Sequence, residues 1–172
     1  MDPKQQTLRN KQRERQQRGD DFQEEIRNSW PHVPNVWHIH IKDGGGGTRP
    51  ADRLVLCEEV NILSELKRTA GERFNLSFLR PNQIRGLIDF DQVIKRNYGL
   101  VLVSFHNPKK HLDKAYAFRL HHALMFFHKH SRQYLTLEEL EAKKILAIEL
   151  PRLSYSDKTY DLRGLATCYK YL

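Results

Sequence analysis

One stretch decides the fold of this chain: residues 50–67, which read PADRLVLCEEVNILSELK. Two runs rich in strand-forming side chains, residues 54–56 and 62–63, lie on either side of residues 58–61. Those intervening residues include two glutamates and an asparagine, a composition typical of a turn. The stretch therefore predicts a β-hairpin.

The predicted hairpin brings acidic and basic side chains to one face of a sheet. Side chains alternate along a strand, so Glu65 and Lys67 should point the same way, and Asp52 can reach that face from the neighbouring strand. Mg²⁺ prefers oxygen ligands. We therefore predict a Mg²⁺ site, with Mn²⁺ as a substitute, formed by the carboxylates of Asp52 and Glu65 and the carbonyl of Leu66. Lys67 would orient a water or stabilise developing negative charge. The alternative is a solvated surface pattern of common residues.

Length and charge narrow the class of protein. A chain of 172 residues fits one domain with a sizeable core. Its formal net charge of +8 favours a polyanionic partner, with nucleic acid first and an anionic membrane second. The sequence contains no apolar run of membrane-spanning length and no apolar signal core at its N-terminus, so we expect no membrane span and a cytoplasmic location. Two cysteines without a Cys-x-x-Cys motif predict reduced thiols.

Basic residues are concentrated at the N-terminus. Residues 1–18 hold six basic and two acidic side chains, which is half of the net charge of the whole chain. We predict that residues 1–18 form a flexible basic arm and that residues 19–172 form a single domain. The arm is either a solvated, disordered segment or one that contacts phosphates and folds on binding, and both can hold together. The cations expected to contact DNA are Arg9, Lys11, Arg13, Arg15, Arg18, Arg68, Lys109 and Lys110.

The remaining pattern predicts the order α β β β α β, followed by β α α and a tail. Large apolar side chains repeat at helical spacing over residues 20–29, which predicts a first helix there. Pro81 suits the first turn of a helix over residues 82–96. Residues 100–105 are almost continuously apolar, as is typical of a strand in the middle of a sheet. The sequence therefore predicts an α/β fold with a mixed central sheet flanked by helices.

Six short motifs occur in order between residues 19 and 155: Gly19-x-x-Phe22-x-x-Glu25-Ile26, Pro50-Ala51-Asp52, Glu65-Leu66-Lys67-Arg68-Thr69, Phe74-Asn75-Leu76, Gln83-Ile84 and Pro151-Arg152-Leu153-x-Tyr155. Together they resemble the RecU-type Holliday junction resolvases of Gram-positive bacteria and their phages. The resemblance implies a restriction-endonuclease-like fold. It also implies a Mg²⁺-dependent homodimer that nicks opposing strands of a four-way DNA junction. A bacterial or phage-encoded, nucleoid-associated protein with recombination proteins as partners would follow.

The resemblance also implies residue roles. It assigns the metal to Asp52 and Glu65, catalytic support to Lys67, and a role near the site to Gln83. This sequence departs from the family pattern in two places. Family members carry a long stalk between the first two strands, where this chain has only residues 43–49, including four glycines that suit a loose connector.

The second departure lies in the first helix. The family has a glutamate directly after the phenylalanine, and this chain has Gln23 there. We expect Glu25 to supply the extra catalytic carboxylate, with Gln23 filling the family position without charge as the alternative.

Three functions follow from these patterns. The first is a structure-selective endonuclease that resolves four-way junctions or related recombination intermediates by paired nicks. The second is a nuclease of the same fold that acts on flaps, forks or duplex DNA, since the stalk is missing. The third is a DNA-binding protein without catalytic activity, since Gln23 replaces an acid.

Overall fold

The predicted fold class is confirmed. A computed structural model describes residues 3–42 and 48–172, and it shows an α/β fold in which a mixed six-stranded sheet is flanked by helices. The loop predicted at the four glycines, residues 44–47, lies outside the described residues.

The described helices are α1 (Pro3–Ser29), α2 (Pro81–Val93), α3 (Leu120–Lys129), α4 (Leu137–Glu141) and α5 (Arg163–Ala166). The described strands are β1 (Trp37–His40), β2 (Arg53–Leu56), β3 (Asn61–Thr69), β4 (Arg73–Asn75), β5 (Asn97–Asn107), β6 (Leu112–Arg119), β7 (Tyr134–Thr136), β8 (Ile148–Glu149), β9 (Arg152–Ser154) and β10 (Thr159–Tyr160). Short 3-10 helices cover Trp30–His32, Leu76–Phe78, Pro108–Lys110 and Cys168–Lys170. No helix among the described residues combines the length and the hydropathy needed to cross a bilayer.

The main sheet has the strand order β1-β2-β3-β5-β6-β8. Strands β3 and β5 run parallel, because α2 crosses between them, and the other neighbours are antiparallel. The predicted hairpin is confirmed as the β2–β3 pair. The predicted order α β β β α β also holds, with the short β4 inserted before α2, where it pairs with β7 in a separate ribbon.

The first helix is longer than predicted. Its predicted start at residue 20 is wrong, because α1 begins at Pro3. The preceding residues are mainly Gln, Arg and Lys, which are good helix formers, and an isolated glycine such as Gly19 is tolerated inside a helix. The described side chains between residues 6 and 17 are exposed. The division into an arm and a domain stays a prediction.

Helices cover both faces of the sheet and create two apolar cores. On one face α1 packs through Phe22 and Ile26 against Ile62 and Leu66 of β3. On the other face α2 and α3 pack against β5 and β6. Because side chains alternate along β3, Glu65 and Lys67 lie on the α2 face. The predicted shared face of these two residues is confirmed.

Two glycines allow α2 to approach the sheet closely. A Cβ atom on Gly99 of β5 would lie 2.2 Å from the carbonyl oxygen of Leu87 in α2. A Cβ atom on Gly86 would lie 2.4 Å from Cβ of Pro50, two residues before Asp52. Both distances are far below a van der Waals contact, so the absence of a side chain fixes the distance between α2 and the strands that carry the acidic residues.

We predict that Gly99→Ala destabilises the protein by about 2–3 kcal/mol, because the added methyl group meets rigid helix backbone. Urea denaturation followed by circular dichroism measures the change. Gly71→Ala is the matched control, since its Cβ would meet only the Thr69 hydroxyl at an ordinary 3.7 Å. Equal stability of the two variants would contradict the close packing described here.

Candidate active site

Two carboxylates lie side by side where β2 begins. Asp52 and Glu65 expose only 2% and 1% of their surface. The backbone of Asp52 is fixed between two strands, because its N–H donates to the carbonyl of Ser64 at 3.0 Å and its carbonyl accepts from the N–H of Ile41 at 2.9 Å. Arg53 of β2 lies opposite Ser64 of β3, so the strand register brings Asp52 next to Glu65.

Asp52 is surrounded by hydrogen-bond donors. Its Oδ2 accepts from the backbone N–H of Leu66 at 2.8 Å. Its Oδ1 forms an ion pair with Nη2 of Arg49 at 2.5 Å and accepts from Nε2 of Gln23 at 3.5 Å. These contacts hold the Asp52 carboxylate in one orientation and balance its charge.

Glu65 has one occupied oxygen and one free oxygen. Oε1 accepts from Nζ of Lys67 at 2.6 Å and from Nε2 of Gln83 at 2.6 Å. Oε2 is buried and has no hydrogen-bond partner among the described residues. Gln83 is itself held at the start of α2, where its Oε1 accepts from the backbone N–H of Arg80 at 2.8 Å. The start of α2 thus positions the amide that holds Glu65, at the place expected for Gln83.

Burial and the neighbouring acid disfavour the charged form of Glu65. Burial, and then the negative charge of Asp52, raise the pKa of Glu65 from 4.5 to about 7, although Lys67 and Arg49 act in the opposite direction. Glu65 is therefore partly protonated near neutral pH. A buried acid with a raised pKa beside a second acid is more common in functional sites than elsewhere.

The residues present fit Mg²⁺. A buried carboxylate oxygen without a partner, next to a second carboxylate, is the donor set that a hard cation takes. The part of the chain that the structure describes contains no group of three or more His, Cys, Asp or Glu side chains arranged for a metal. The site would therefore supply two carboxylates, with the Leu66 carbonyl, waters and substrate oxygens completing the shell, as is usual for Mg²⁺.

Glu25 lies apart from the acid pair. Its carboxylate forms ion pairs with Nη2 of Arg68 at 2.5 Å and with Nη1 of Arg152 at 2.9 Å. Arg68 follows Lys67 in β3, so its side chain lies on the opposite face, under α1. The structure instead places Gln23 beside Asp52, which is the alternative arrangement of the first helix. A catalytic role for Glu25 stays a prediction.

The cations predicted to contact DNA occupy several places. Arg9 and Arg13 are exposed on α1, whereas the side chains of Lys11 and Arg15 lie outside the described residues. Lys109 and Lys110 are exposed in the turn after β5. The remaining two members of the predicted set are Arg18, which is partly buried, and Arg68, which is buried in its ion pair.

Sequence reasoning missed Arg49. It was assigned to the connection between the first two strands, yet it makes the shortest contact to Asp52. Its carbonyl accepts from Nδ2 of Asn82 in α2 at 2.6 Å, which holds the segment before Asp52 against that helix. The sequence signal that could have identified Arg49 is its position three residues before Asp52.

Comparisons with known proteins include a distant structural likeness. No family model matches the chain, and no curated protein matches it. Among solved structures, the chain is similar to the 1.6 Å structure of Hjc from Archaeoglobus fulgidus, a Holliday junction resolvase from an archaeal hyperthermophile. The TM-score is 0.36, the identity is 14%, and the match covers 51% of this chain and 65% of that chain. The match thus spans less than two thirds of the length of Hjc, and it assigns no family to the chain.

We predict that Glu65→Gln stabilises the metal-free protein increasingly as the pH rises. Because the pKa of Glu65 is raised in the folded state, that state keeps a proton between about pH 4.5 and pH 7 that the unfolded state releases. Wild-type stability therefore falls across this window relative to the variant, by roughly 1–3 kcal/mol in all. Urea denaturation in EDTA at pH 4.5 and pH 8 measures the difference.

The control for this experiment is Glu59→Gln, an exposed residue in the turn between β2 and β3. Its free energy of unfolding should stay within about 0.5 kcal/mol of wild type in both buffers, because substitutions of exposed residues have small effects. If the difference in free energy of unfolding between Glu65→Gln and wild type is the same at both pH values, the pKa of Glu65 is not raised in the folded protein.

Proposed function

We propose that this chain is a Mg²⁺-dependent DNA endonuclease that cuts branched DNA, with four-way junctions as the leading substrate. The observation that carries the proposal is the buried Oε2 of Glu65, which has no partner among the described residues, on a carboxylate that contacts Lys67 through Oε1 and feels the charge of Asp52. A purely structural cluster would use that oxygen, because leaving a buried polar atom unpaired costs stability. Because Oε2 of Glu65 has no partner among the described residues, we infer that this oxygen binds a ligand.

Each residue of the site has a proposed role. Asp52 and Glu65 would hold Mg²⁺, which when bound would neutralise charge on the scissile phosphate and lower the pKa of a bound water. Gln83 keeps the Glu65 carboxylate in place, and its amide remains a donor whichever protonation state Glu65 adopts. Lys67, whose side chain is 23% exposed, extends from the buried acids towards solvent and would stabilise negative charge developing on the phosphate.

Arg49 supports Asp52 in a second way. Its guanidinium pairs with Asp52 at 2.5 Å, so the carboxylate is held in one orientation before any cation arrives. Glu65 must lose its proton before both of its oxygens can bind a cation, because a protonated carboxyl group is a poor metal ligand. Ion binding at this site should therefore release a proton.

The chain order supports a nuclease of the restriction-endonuclease-like class. Three antiparallel strands, a crossover helix and a parallel fourth strand place Asp52 and Glu65 on adjacent strands and Gln83 on the crossover helix. We propose that the protein works as a homodimer, because one active site per chain cannot cut two opposing strands of a symmetric junction together. A cytoplasmic, nucleoid-associated location and recombination proteins as partners belong to the same proposal.

One observation favours a second candidate substrate. The N–H of Ile41 donates to the carbonyl of Asp52, where the β1–β2 pairing begins, and the ten residues of sequence between them, 42–51, are too few for a stalk. A nuclease without that element would recognise a branch by shape alone, and flaps and forks offer the same kind of deformed duplex. The second candidate is therefore a flap or fork nuclease with the same active site.

We predict symmetric nicks on a four-way junction in Mg²⁺, and none on linear duplex of the same sequence or in EDTA. Asp52→Asn and Lys67→Ala should each lower the cleavage rate at least about 100-fold while junction binding changes little, because they remove groups that act on the reacting phosphate. Gel analysis of end-labelled strands measures cleavage. Faster cleavage of flaps or forks would select the second candidate.

The exposed residues Asp89 and Lys95 provide matched controls as Asp89→Asn and Lys95→Ala, which should cut like wild type. Cutting that needs no metal, or wild-type cutting by Asp52→Asn, would contradict the proposed active site.

We also predict two protein chains per junction. Sedimentation of the protein with a junction in Ca²⁺, at micromolar concentration, measures the stoichiometry. A complex with one chain that still nicks both strands would contradict the dimer.

A further inference from the structure

A cavity of about 430 Å³ is lined in part by Lys67. The cavity is lined by residues from the middle of α1, the end of β3, the following turn and the 3-10 helix before α2. The lining residues are Arg18, Lys67, Arg68, Thr69, Ala70, Gly71 and Phe78. This volume lies in the range of pockets that hold small ligands or parts of larger ones. Three of the residues are cationic and none is acidic, so the cavity favours an anion.

Arg18 is the cation of this cavity that remains available to a ligand. Arg68 donates its guanidinium protons to Glu25, Ser104 and Tyr160, and Lys67 is paired with Glu65. By contrast, Nε of Arg18 is buried without a hydrogen-bond partner in the described part of the chain. A buried guanidinium N–H without an acceptor is costly, and a phosphate oxygen is its natural acceptor.

Phe78 gives the cavity an aromatic wall. Its side chain is 38% exposed, although it is a large apolar residue. The edge-to-face contact with Phe74, at 5.8 Å between ring centroids, fixes the ring against the core. A fixed, exposed aromatic ring beside cations is the arrangement on which nucleic-acid bases stack.

We propose that this cavity binds one unpaired nucleotide of the DNA strand that enters the active site. Arg18 would bind its phosphate, and the face of Phe78 would stack on its base. Bases inside a duplex are stacked on both faces and cannot reach Phe78, whereas stacking is interrupted at a branch point, so a nucleotide there can leave its stack more easily. The cavity would therefore select branched DNA without the stalk, and this inference rests on the proposed nuclease function.

The position of Lys67 connects the cavity to the chemistry. Lys67 lines the cavity and also contacts Glu65, so the bound nucleotide would lie directly beside the scissile phosphate. Binding energy from the cavity would then place the reacting phosphate at the acids. The same pocket would serve both recognition and alignment.

The test is binding in EDTA, where no cleavage occurs, measured by fluorescence anisotropy with two labelled probes. One probe is a short single-stranded oligodeoxythymidine, and the other is a fully paired duplex with closed ends. Phe78→Leu keeps an apolar side chain against Phe74 but removes the stacking face, so it should weaken single-strand binding about tenfold and duplex binding less than about twofold. Arg18→Gln should weaken single-strand binding and lower the salt dependence by about one phosphate contact.

Two matched controls lie away from the cavity. Tyr155→Leu removes an aromatic ring that is 76% exposed, and Lys129→Gln removes an exposed cation of α3. Both should bind the two probes like wild type, and all variants should melt within a few degrees of it. Phe78→Leu that binds single strands like wild type, or that loses both probes equally, would overturn the inference.

The outcome separates the cavity from the active site. Loss of single-strand preference in Phe78→Leu supports the cavity even if no DNA is cut in Mg²⁺. If cleavage requires Asp52 but Phe78→Leu binds single strands like wild type, the nuclease proposal stands and the cavity proposal is wrong. Wild-type protein that binds neither probe would overturn the cavity proposal, while the nuclease proposal would still stand or fall on the junction assay.

Discussion

The structure depends on keeping two carboxylates buried next to each other. Asp52 and Glu65 are almost fully removed from solvent, and like charges this close would drive the strands apart without compensation. The chain compensates with Arg49 and Lys67 on the two acids and with the backbone N–H of Leu66. Burial, and then the charge of Asp52, still raise the pKa of Glu65, so the fold keeps this acid in a place that disfavours its charge.

Three parts of the fold hold the residues of the site in position. The crossover helix α2 lies unusually close to the sheet because Gly86 and Gly99 lack side chains, and its first turn then delivers Gln83 to Glu65. The hairpin places the acids on neighbouring strands. On the opposite face, Glu25 binds Arg68 and so anchors α1 on β3. Close packing sets the distance between α2 and the sheet, the hairpin places the acids on adjacent strands, and a buried ion pair fixes α1 on β3.

Local patterns predicted the parts of this site that local structure controls. The hairpin, the shared face of Glu65 and Lys67, and the helix that carries Gln83 follow from strand alternation and turn signals over a few residues. The contacts of Arg49 and Glu25 did not follow, because each depends on which distant element packs against it. Gln23 lies two residues before Glu25 in α1, and only the docking angle of α1 decides which of them meets Asp52.

The length of α1 has a mechanical consequence. A helix of 27 residues is about 40 Å long, and roughly the first 24 Å precede Gly19, ahead of the buried residues that begin at Phe22. An α-helix is stiff over this distance, so force applied to the overhang acts as torque on its docked end. Gln23, which contacts Asp52, directly follows Phe22, the residue at which the buried part of α1 begins. Gly19 has open space around it and is the residue at which such a lever would bend first.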